Sequence, residues 1–67
     1  LFRMPKHAFD YSNHFPGNIV KATSFAKLIK YENYEFTLFK DGRMNAYGVH
    51  SDEEASGLYH TLIKSIR

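Results

Sequence analysis

The chain has 67 residues, of which 43% are hydrophobic and 16% aromatic, and it contains no cysteine. This length fits one small domain that buries about 60% of the surface exposed by its unfolded chain, and the lack of cysteine excludes disulfides, thiolate metal sites and a cysteine nucleophile. The formal net charge of +2 reflects nine basic and seven acidic residues, a balance too mild to predict nucleic-acid binding unless the basic residues cluster.

The start of the chain predicts that it is a piece of a longer polypeptide. It begins at Leu1 instead of Met and enters an apolar pattern at once with Phe2 and Met4. No apolar run approaches the roughly 20 residues needed to cross a membrane, and no basic start leads into an apolar signal core. We therefore expect a single soluble, cytoplasmic domain over residues 1–67.

Residues 1–20 are predicted to be irregular, and residues 21–67 are predicted to form a sheet and a helix. Turn-forming residues interrupt the first segment: Pro5, Asn13, Pro16, Gly17 and Asn18. Aromatic residues in the same segment are expected to anchor it on the core: Phe2, Phe9, Tyr11 and Phe15.

Three strands follow, over residues 23–31, 34–39 and 43–49, joined by two tight turns. A two-residue turn at Glu32-Asn33 places an opposite-charge pair across the first two strands. The pairs that it predicts are Tyr31 with Tyr34, Lys30 with Glu35 and Ile29 with Phe36. The first or the last of the three strands, as an exposed edge, could also pair between chains and make a dimer.

The Asp41-Gly42 pair is a strong signal for the second hairpin. A strict two-residue turn would set Lys40 opposite Arg43, placing like charges together. A three-residue loop, with Gly42 in the left-handed conformation, instead pairs apolar residues with each other. The predicted partners are Phe39 with Arg43, Leu38 with Met44, Phe36 with Ala46 and Tyr34 with Gly48, leaving Thr37 with Asn45 and Glu35 with Tyr47 on the other face.

A C-terminal helix is predicted from residue 52 onward. Ser51 and Glu54 form a capping box, and Asp52 and Glu53 add negative charge at the positive end of the helix dipole. Apolar residues then recur along one helical face: Ala55, Leu58, Tyr59, Leu62, Ile63 and Ile66. Gly57 lies inside this helix, where glycine costs about 1 kcal/mol relative to alanine.

Together these elements predict an α+β fold, a small antiparallel sheet of three or four strands with the C-terminal helix packed on one face. The face under the helix is expected to hold the apolar strand residues: Ile29, Tyr31, Phe36, Leu38, Met44 and Ala46, with Phe25 at its edge. The other face remains open.

The sequence assigns no catalytic, cofactor-binding or metal-binding residue. The histidines lack the short spacing typical of metal ligands: His7, His14, His50 and His60. Helix capping explains the acidic run at residues 52–54, the serines have no glycine-flanked elbow, and the glycines do not cluster into a phosphate-binding loop. We therefore expect no enzyme activity from this chain and no cofactor.

The open sheet face is the surface that suggests a function. It is predicted to carry aromatic and basic residues side by side: Lys30, Phe39, Arg43 and Tyr47. Such a face could be simply solvated, or covered by residues 1–20. It could dock a protein or another part of the parent chain, or bind single-stranded nucleic acid by stacking. Salt dependence separates the last two functions, because phosphate contacts weaken steeply with salt.

Residues 34–43 read Tyr-Glu-Phe-Thr-Leu-Phe-Lys-Asp-Gly-Arg and are followed by Gly48, the acidic cap at residues 51–54, Ala55 and Leu58-Tyr59. This pattern resembles the C-terminal segment of E1-like adenylyltransferases of the ThiF and HesA type, which activate ubiquitin-like sulfur carriers in thiamine and molybdopterin synthesis. The resemblance covers roughly the last two thirds of the chain. It departs from the family where the helix continues through residues 64–67, since the family pattern stops at a glycine.

The resemblance implies a C-terminal accessory domain of such an enzyme, lacking the Rossmann domain with its glycine-rich loop and catalytic residues. Its implied partner is the parent catalytic domain or the ubiquitin-like sulfur carrier.

A second resemblance is to half of a TATA-box-binding saddle, in which a hairpin, a glycine and a capped helix follow in the same order. That fold binds DNA through its open sheet face. The phenylalanine wedges and the second repeat are missing here. The alternative that it implies is a small nucleic-acid-binding sheet module.

Overall fold

The computed structural model describes residues 2–67. These residues form β1 (Phe2–Arg3), β2 (Asn18–Ala22), β3 (Ala26–Tyr31), β4 (Tyr34–Phe39), β5 (Arg43–Tyr47) and α1 (Asp52–Ser65), with short 3₁₀ turns at Lys6–Ala8 and Ser12–His14. The strands make one antiparallel sheet in the order β1-β5-β4-β3-β2. The predicted α+β fold is confirmed, with five strands instead of three or four.

The hairpin β4–β5 has the predicted three-residue loop. The N–H of Gly42 donates to the carbonyl of Phe39 at 3.0 Å, and Gly42 has a φ of 98°, in the left-handed region. The predicted register is confirmed by the partners Leu38 with Met44, Phe36 with Ala46, Thr37 with Asn45 and Glu35 with Tyr47. This register places the apolar partners on one face of the sheet.

The turn between β3 and β4 also has the predicted register. The partners are Tyr31 with Tyr34, Lys30 with Glu35 and Ile29 with Phe36. Glu32 takes a φ of 53° in this turn, a conformation that is uncommon outside glycine, asparagine and aspartate. The requirements of a two-residue hairpin loop therefore override the local preference of Glu32.

The C-terminal helix begins with the predicted cap. The Oγ of Ser51 accepts from the N–H of Glu54 at 3.1 Å. The Glu54 side chain reaches back one residue further than a standard capping box, since its Oε1 accepts from the N–H of His50 at 3.3 Å. The helix then buries Leu58 and Leu62, and Ile66 joins them just beyond its last turn. No helix within residues 2–67 has the length and apolar character needed to cross a bilayer.

Replacing Gly57 with alanine is expected to raise the free energy of unfolding by about 0.5–1 kcal/mol. Gly57 lies in the interior of α1, and a Cβ added there would meet no atom within 4 Å. Alanine therefore gains helix propensity without a clash. Urea denaturation followed by circular dichroism measures the change, and a loss of stability would contradict this explanation.

Residues 2–20 are less irregular than predicted. Besides the two 3₁₀ turns, they contain β1, which pairs with β5, and the start of β2, which pairs with β3. Phe9 and Phe15 are buried, and Phe2 is half-buried and stacks on Tyr59 with ring centroids 6.1 Å apart. The prediction for Tyr11 was wrong, because its side chain is 51% exposed.

One core lies between the sheet, the helix and the segment that joins β1 to β2. Its buried apolar residues are Met4, Ala8, Phe9, Phe15, Ile29, Phe36, Leu38, Met44, Leu58, Leu62 and Ile66. Phe25 was expected at the edge of this core, but it lies outside any strand, in the turn between β2 and β3, and is 74% exposed. The predicted covered face is otherwise correct.

The strands predicted as exposed edges are interior. β3 lies between β2 and β4, and β5 lies between β1 and β4. Neither can therefore pair with a second chain along a free edge. The edges of the sheet are β1 and β2, and β2 has a bulge between Ile19 and Lys21 that interrupts its regular pairing.

Candidate interaction face

The open face is the side of the sheet turned away from the helix, and three rows of paired residues form it. The rows are Asn18, Lys30, Glu35 and Tyr47; Lys21, Leu28, Thr37 and Asn45; and Ala26, Phe39, Arg43 and Arg3. In the third row, Phe39 and Arg43 lie next to the hairpin loop, since Phe39 ends β4 and Arg43 begins β5.

The segment that joins β1 to β2 does not cover the open face. Lys27 lies on the same face of β3 as Ile29, because successive strand residues alternate between faces. Its Nζ donates to the carbonyl of Phe9 at 2.9 Å and to the Oγ of Ser12 at 2.7 Å, and lies 4.6 Å from the centroid of the Phe9 ring. The segment is therefore fixed to the helix side of the sheet.

The structure places all four predicted residues of the interaction face on the open side, in two groups. Lys30 and Tyr47 are both partners of Glu35, and Tyr47 is 58% exposed. Phe39 and Arg43 lie at the other end of the hairpin. The two groups are about 13 Å apart, since four residues of β4 separate Glu35 from Phe39 and a strand rises about 3.3 Å per residue.

Arg43 is held in a fixed position by two neighbours. Its guanidinium carbon lies 5.3 Å from the centroid of the Phe39 ring. Its Nε donates to Oδ2 of Asp41 at 2.9 Å, while the Arg43 N–H donates to Oδ1 of the same carboxylate at 3.1 Å. Both side chains remain 53% exposed. Among residues 2–67 this is the one ion pair, and the Nη groups of Arg43 form no hydrogen bond with any other described residue.

Phe25 also lies beside this face, a position that was not predicted from the sequence. Its N–H and that of Ala26 donate to the Oγ1 of Thr23 at 3.2 and 3.1 Å, and its carbonyl accepts from the N–H of Lys40 at 2.8 Å. These bonds fix the turn against the β4–β5 hairpin. The result is a shallow groove, here called the Phe25 groove, lined by Phe25, Phe39, Lys40, Asp41 and Arg43.

Basic residues concentrate on the open face and its rim. Five of the nine Lys and Arg residues lie there, against three of the seven acidic residues. The basic residues are Arg3, Lys21, Lys30, Lys40 and Arg43, and the acidic residues are Glu32, Glu35 and Asp41. The face and its rim therefore carry a formal charge of +2, which equals the net charge of the whole chain. The other basic and acidic residues balance.

The carboxyl of Asp41 is expected to titrate below the ordinary aspartate pKa of 3.8, because the backbone N–H of Arg43 bonds to its charged form and the charges of Arg43 and Arg3 stabilise it. A lowered pKa means that the carboxylate stabilises the fold above the pKa of the unfolded chain, and that this contribution is lost as pH falls through the folded pKa. NMR titration of the Asp41 carboxyl carbon measures this pKa.

Arg43→Gln provides the control for that titration. It should raise the pKa of Asp41 without restoring the ordinary value, because the backbone N–H remains. A pKa of Asp41 at the ordinary value in the unmodified chain would contradict the hydrogen bonds described for this turn.

The histidines are dispersed over the molecule. His7 and His14 flank Tyr11, with ring centroids 5.5 and 5.9 Å from it, and the Nδ1 of His60 is 2.9 Å from the carbonyl of Ser56 within the helix. Within the described residues, no three His, Asp or Glu side chains come together to hold a metal ion.

The sequence matches no protein-family model, and no curated protein or solved structure is significantly similar to it.

Proposed function

We propose that this chain is a non-catalytic accessory domain that docks a partner protein through its open sheet face. The observation that carries the proposal is the composition of that face, where exposed aromatic rings lie among residues that carry the whole net charge of +2. Following the resemblance of residues 34–59, the parent is an E1-like enzyme that activates a sulfur carrier. The partner is the parent catalytic domain or the ubiquitin-like sulfur carrier, in the cytoplasm.

Protein docking fits the residue types that the face presents. Tyrosine, phenylalanine and arginine dominate the binding energy of protein interfaces, because they offer large contact areas and charged hydrogen bonds together. Tyr47, Phe39 and Arg43 supply these groups on a rigid sheet. The middle row joins the two ends, and its half-buried residues Leu28 and Thr37 line a concave surface together with Lys21. A partner with an acidic rim would complement the positive charge.

Single-stranded nucleic acid is the second candidate, and the clustering of basic residues favours it. Two features weigh against it. Along the sheet, Phe39 lies about 13 Å from the row that contains Tyr47, further than successive stacked bases. Glu35 also lies directly between Lys30 and Tyr47, where its carboxylate would repel a phosphate. Nucleic-acid binding is therefore the less favoured candidate, and an NMR titration distinguishes it from protein docking.

Heteronuclear NMR titration of the 67-residue chain tests the proposal. A ubiquitin-like sulfur carrier, an E1-like catalytic domain and a short single-stranded DNA are added separately, at low and at high salt. We expect shifts at Lys30, Phe39, Arg43 and Tyr47 with one of the two proteins, persisting at high salt. Shifts with DNA alone that vanish as salt rises, or no shifts at all, would overturn the proposal.

Tyr47→Ala and Tyr11→Ala form a matched pair for this titration. Both side chains are about half exposed, 58% and 51%, but only Tyr47 lies on the open face. Tyr47→Ala should weaken partner binding about tenfold, the effect typical of an interface aromatic residue. Tyr11→Ala should leave binding unchanged, and an equal effect of both substitutions would show that the partner binds elsewhere.

A further inference from the structure

We infer that the Phe25 groove binds an acidic side chain of the partner that has an apolar residue beside it. This inference rests on the proposed docking function and names the chemistry of its anchor point. The groove combines an exposed phenylalanine, an oriented guanidinium and a second cation within one concave surface.

The position of Arg43 leaves one side of the guanidinium available to a ligand. The Phe39 ring lies on one side of the group, with its centroid 5.3 Å from the guanidinium carbon, and Asp41 occupies Nε. The two Nη groups bond to no other described residue, and two parallel N–H donors match the two oxygens of a carboxylate.

Phe25 supplies the apolar half of the recognition. Its backbone is fixed at both ends of the turn by hydrogen bonds to Thr23 and Lys40, yet its ring is 74% exposed and contributes little to the core. Because the Phe25 ring makes few contacts within the folded domain and its turn is rigid, the ring is available to pack against a bound partner. It lies beside the guanidinium, so one short segment of a partner can contact both.

The charged residues that line the Phe25 groove favour binding of a carboxylate. Lys40 and Arg43 line it, Arg3 is the register partner of Arg43 on β1, and Asp41 is the single acidic residue of its lining. A carboxylate adjacent to an apolar side chain satisfies both the positive charge and the exposed ring. Asp41 repels any anion in the groove, but a peptide meets it with one carboxylate whereas a chain of phosphates would carry repeated charges past it, so the acidic peptide is favoured.

Two capped pentapeptides test the inference by NMR titration of the 67-residue chain. One carries Leu-Asp-Leu between glycines and the other carries Leu-Asn-Leu, so they differ by one charge. The Asp peptide should shift the amides of Phe25, Lys40 and Arg43 and bind at least five times more tightly than the Asn peptide. Equal binding of the two peptides, or binding of neither, would overturn the inference.

Four variants test whether the Asp peptide binds in the Phe25 groove. Phe25→Ala and Arg43→Gln should each weaken the Asp peptide at least fivefold, whereas Asp41→Asn should strengthen it, because it removes the competing carboxylate while an amide oxygen still accepts from the turn. Lys64→Gln, on the helix, is the control of equal charge change and should have no effect. If Lys64→Gln weakened binding of the Asp peptide as much as Arg43→Gln does, the effect would come from net charge alone, and the inference would be overturned.

The failure of this inference and of the docking function give different results. If a protein partner shifts Lys30 and Tyr47 but Phe25→Ala does not weaken it, the open face docks the partner and the groove is not its anchor. If the Asp peptide binds the groove while neither protein binds, the acidic recognition stands and the proposed partners are wrong. Tighter binding of single-stranded DNA than of the Asp peptide at high salt would overturn the inference.

Discussion

Replacing Gly42 with alanine is expected to lower the free energy of unfolding by at least about 2 kcal/mol. Gly42 closes the β4–β5 loop with a φ of 98°, a region that costs a residue with a Cβ about 1–2 kcal/mol. The added Cβ would also lie 2.6 Å from the carbonyl oxygen of Met4. That backbone cannot simply move away, because the N–H of Met4 donates to the carbonyl of Gly42 at 2.8 Å.

Urea denaturation measures this effect, and hydrogen exchange shows where it acts. The strand β1 should lose protection first, since the clash lies where Met4 joins the hairpin. Gly57→Ala is the matched control, because the same substitution at an open helical position is expected to stabilise the domain. A change smaller than about 0.5 kcal/mol for Gly42→Ala, the range of neutral surface substitutions, would contradict the geometry of this loop.

The two hairpins could be predicted from the sequence because short-range rules determine them. The Asp41-Gly42 pair selects the loop, and alternation of apolar residues then fixes which strand residues meet. The capping box at Ser51 likewise marks the start of the helix within one residue. In each case the residues that decide the structure lie within a few positions of one another.

The outer strands could not be predicted, because their partners are distant in sequence. β1 has only two residues and pairs with β5 some forty positions later. β2 is exposed along its whole length and has no regular apolar alternation, so its sequence looks like a loop. Such a strand is stabilised by pairing with one neighbour and not by burial of its own side chains. Its sequence therefore shows no periodic pattern of apolar residues.

Only part of the candidate site could be predicted, because short-range rules place the hairpin residues but not the turn that carries Phe25. Alternation placed Phe39, Arg43 and Tyr47 on the open face, since each belongs to a correctly predicted hairpin. Phe25 was placed at the edge of the covered face by extending the β3 alternation too far, past Ala26 where the strand begins. Its actual place beside Arg43 depends on the turn that Thr23 closes, which only the folded chain reveals.

Lys27→Met is expected to lower the free energy of unfolding by about 1.5–3 kcal/mol, the range for hydrogen bonds that involve a charged group. The Nζ of Lys27 joins β3 to the segment between β1 and β2 through the Phe9 carbonyl and the Ser12 Oγ. Ser12 is almost fully buried, and its Oγ also donates to the Phe9 carbonyl at 2.8 Å. Methionine keeps an unbranched apolar chain as far as Cε, with sulfur in place of Cδ, and removes the ammonium group.

A double-mutant cycle with Ser12→Ala isolates the bond from general effects of substitution. Because the two groups lie 2.7 Å apart, the cycle should give a coupling free energy of about 0.5–3 kcal/mol, whereas Lys64→Met with Ser12→Ala should give none. Hydrogen exchange should quicken at the Phe15 amide, which donates to the Ser12 carbonyl, before it does so in β4. Additive free energies would mean that Lys27 is solvated, and that the apolar contacts of Phe9 and Phe15 alone hold the segment on the helix side of the sheet.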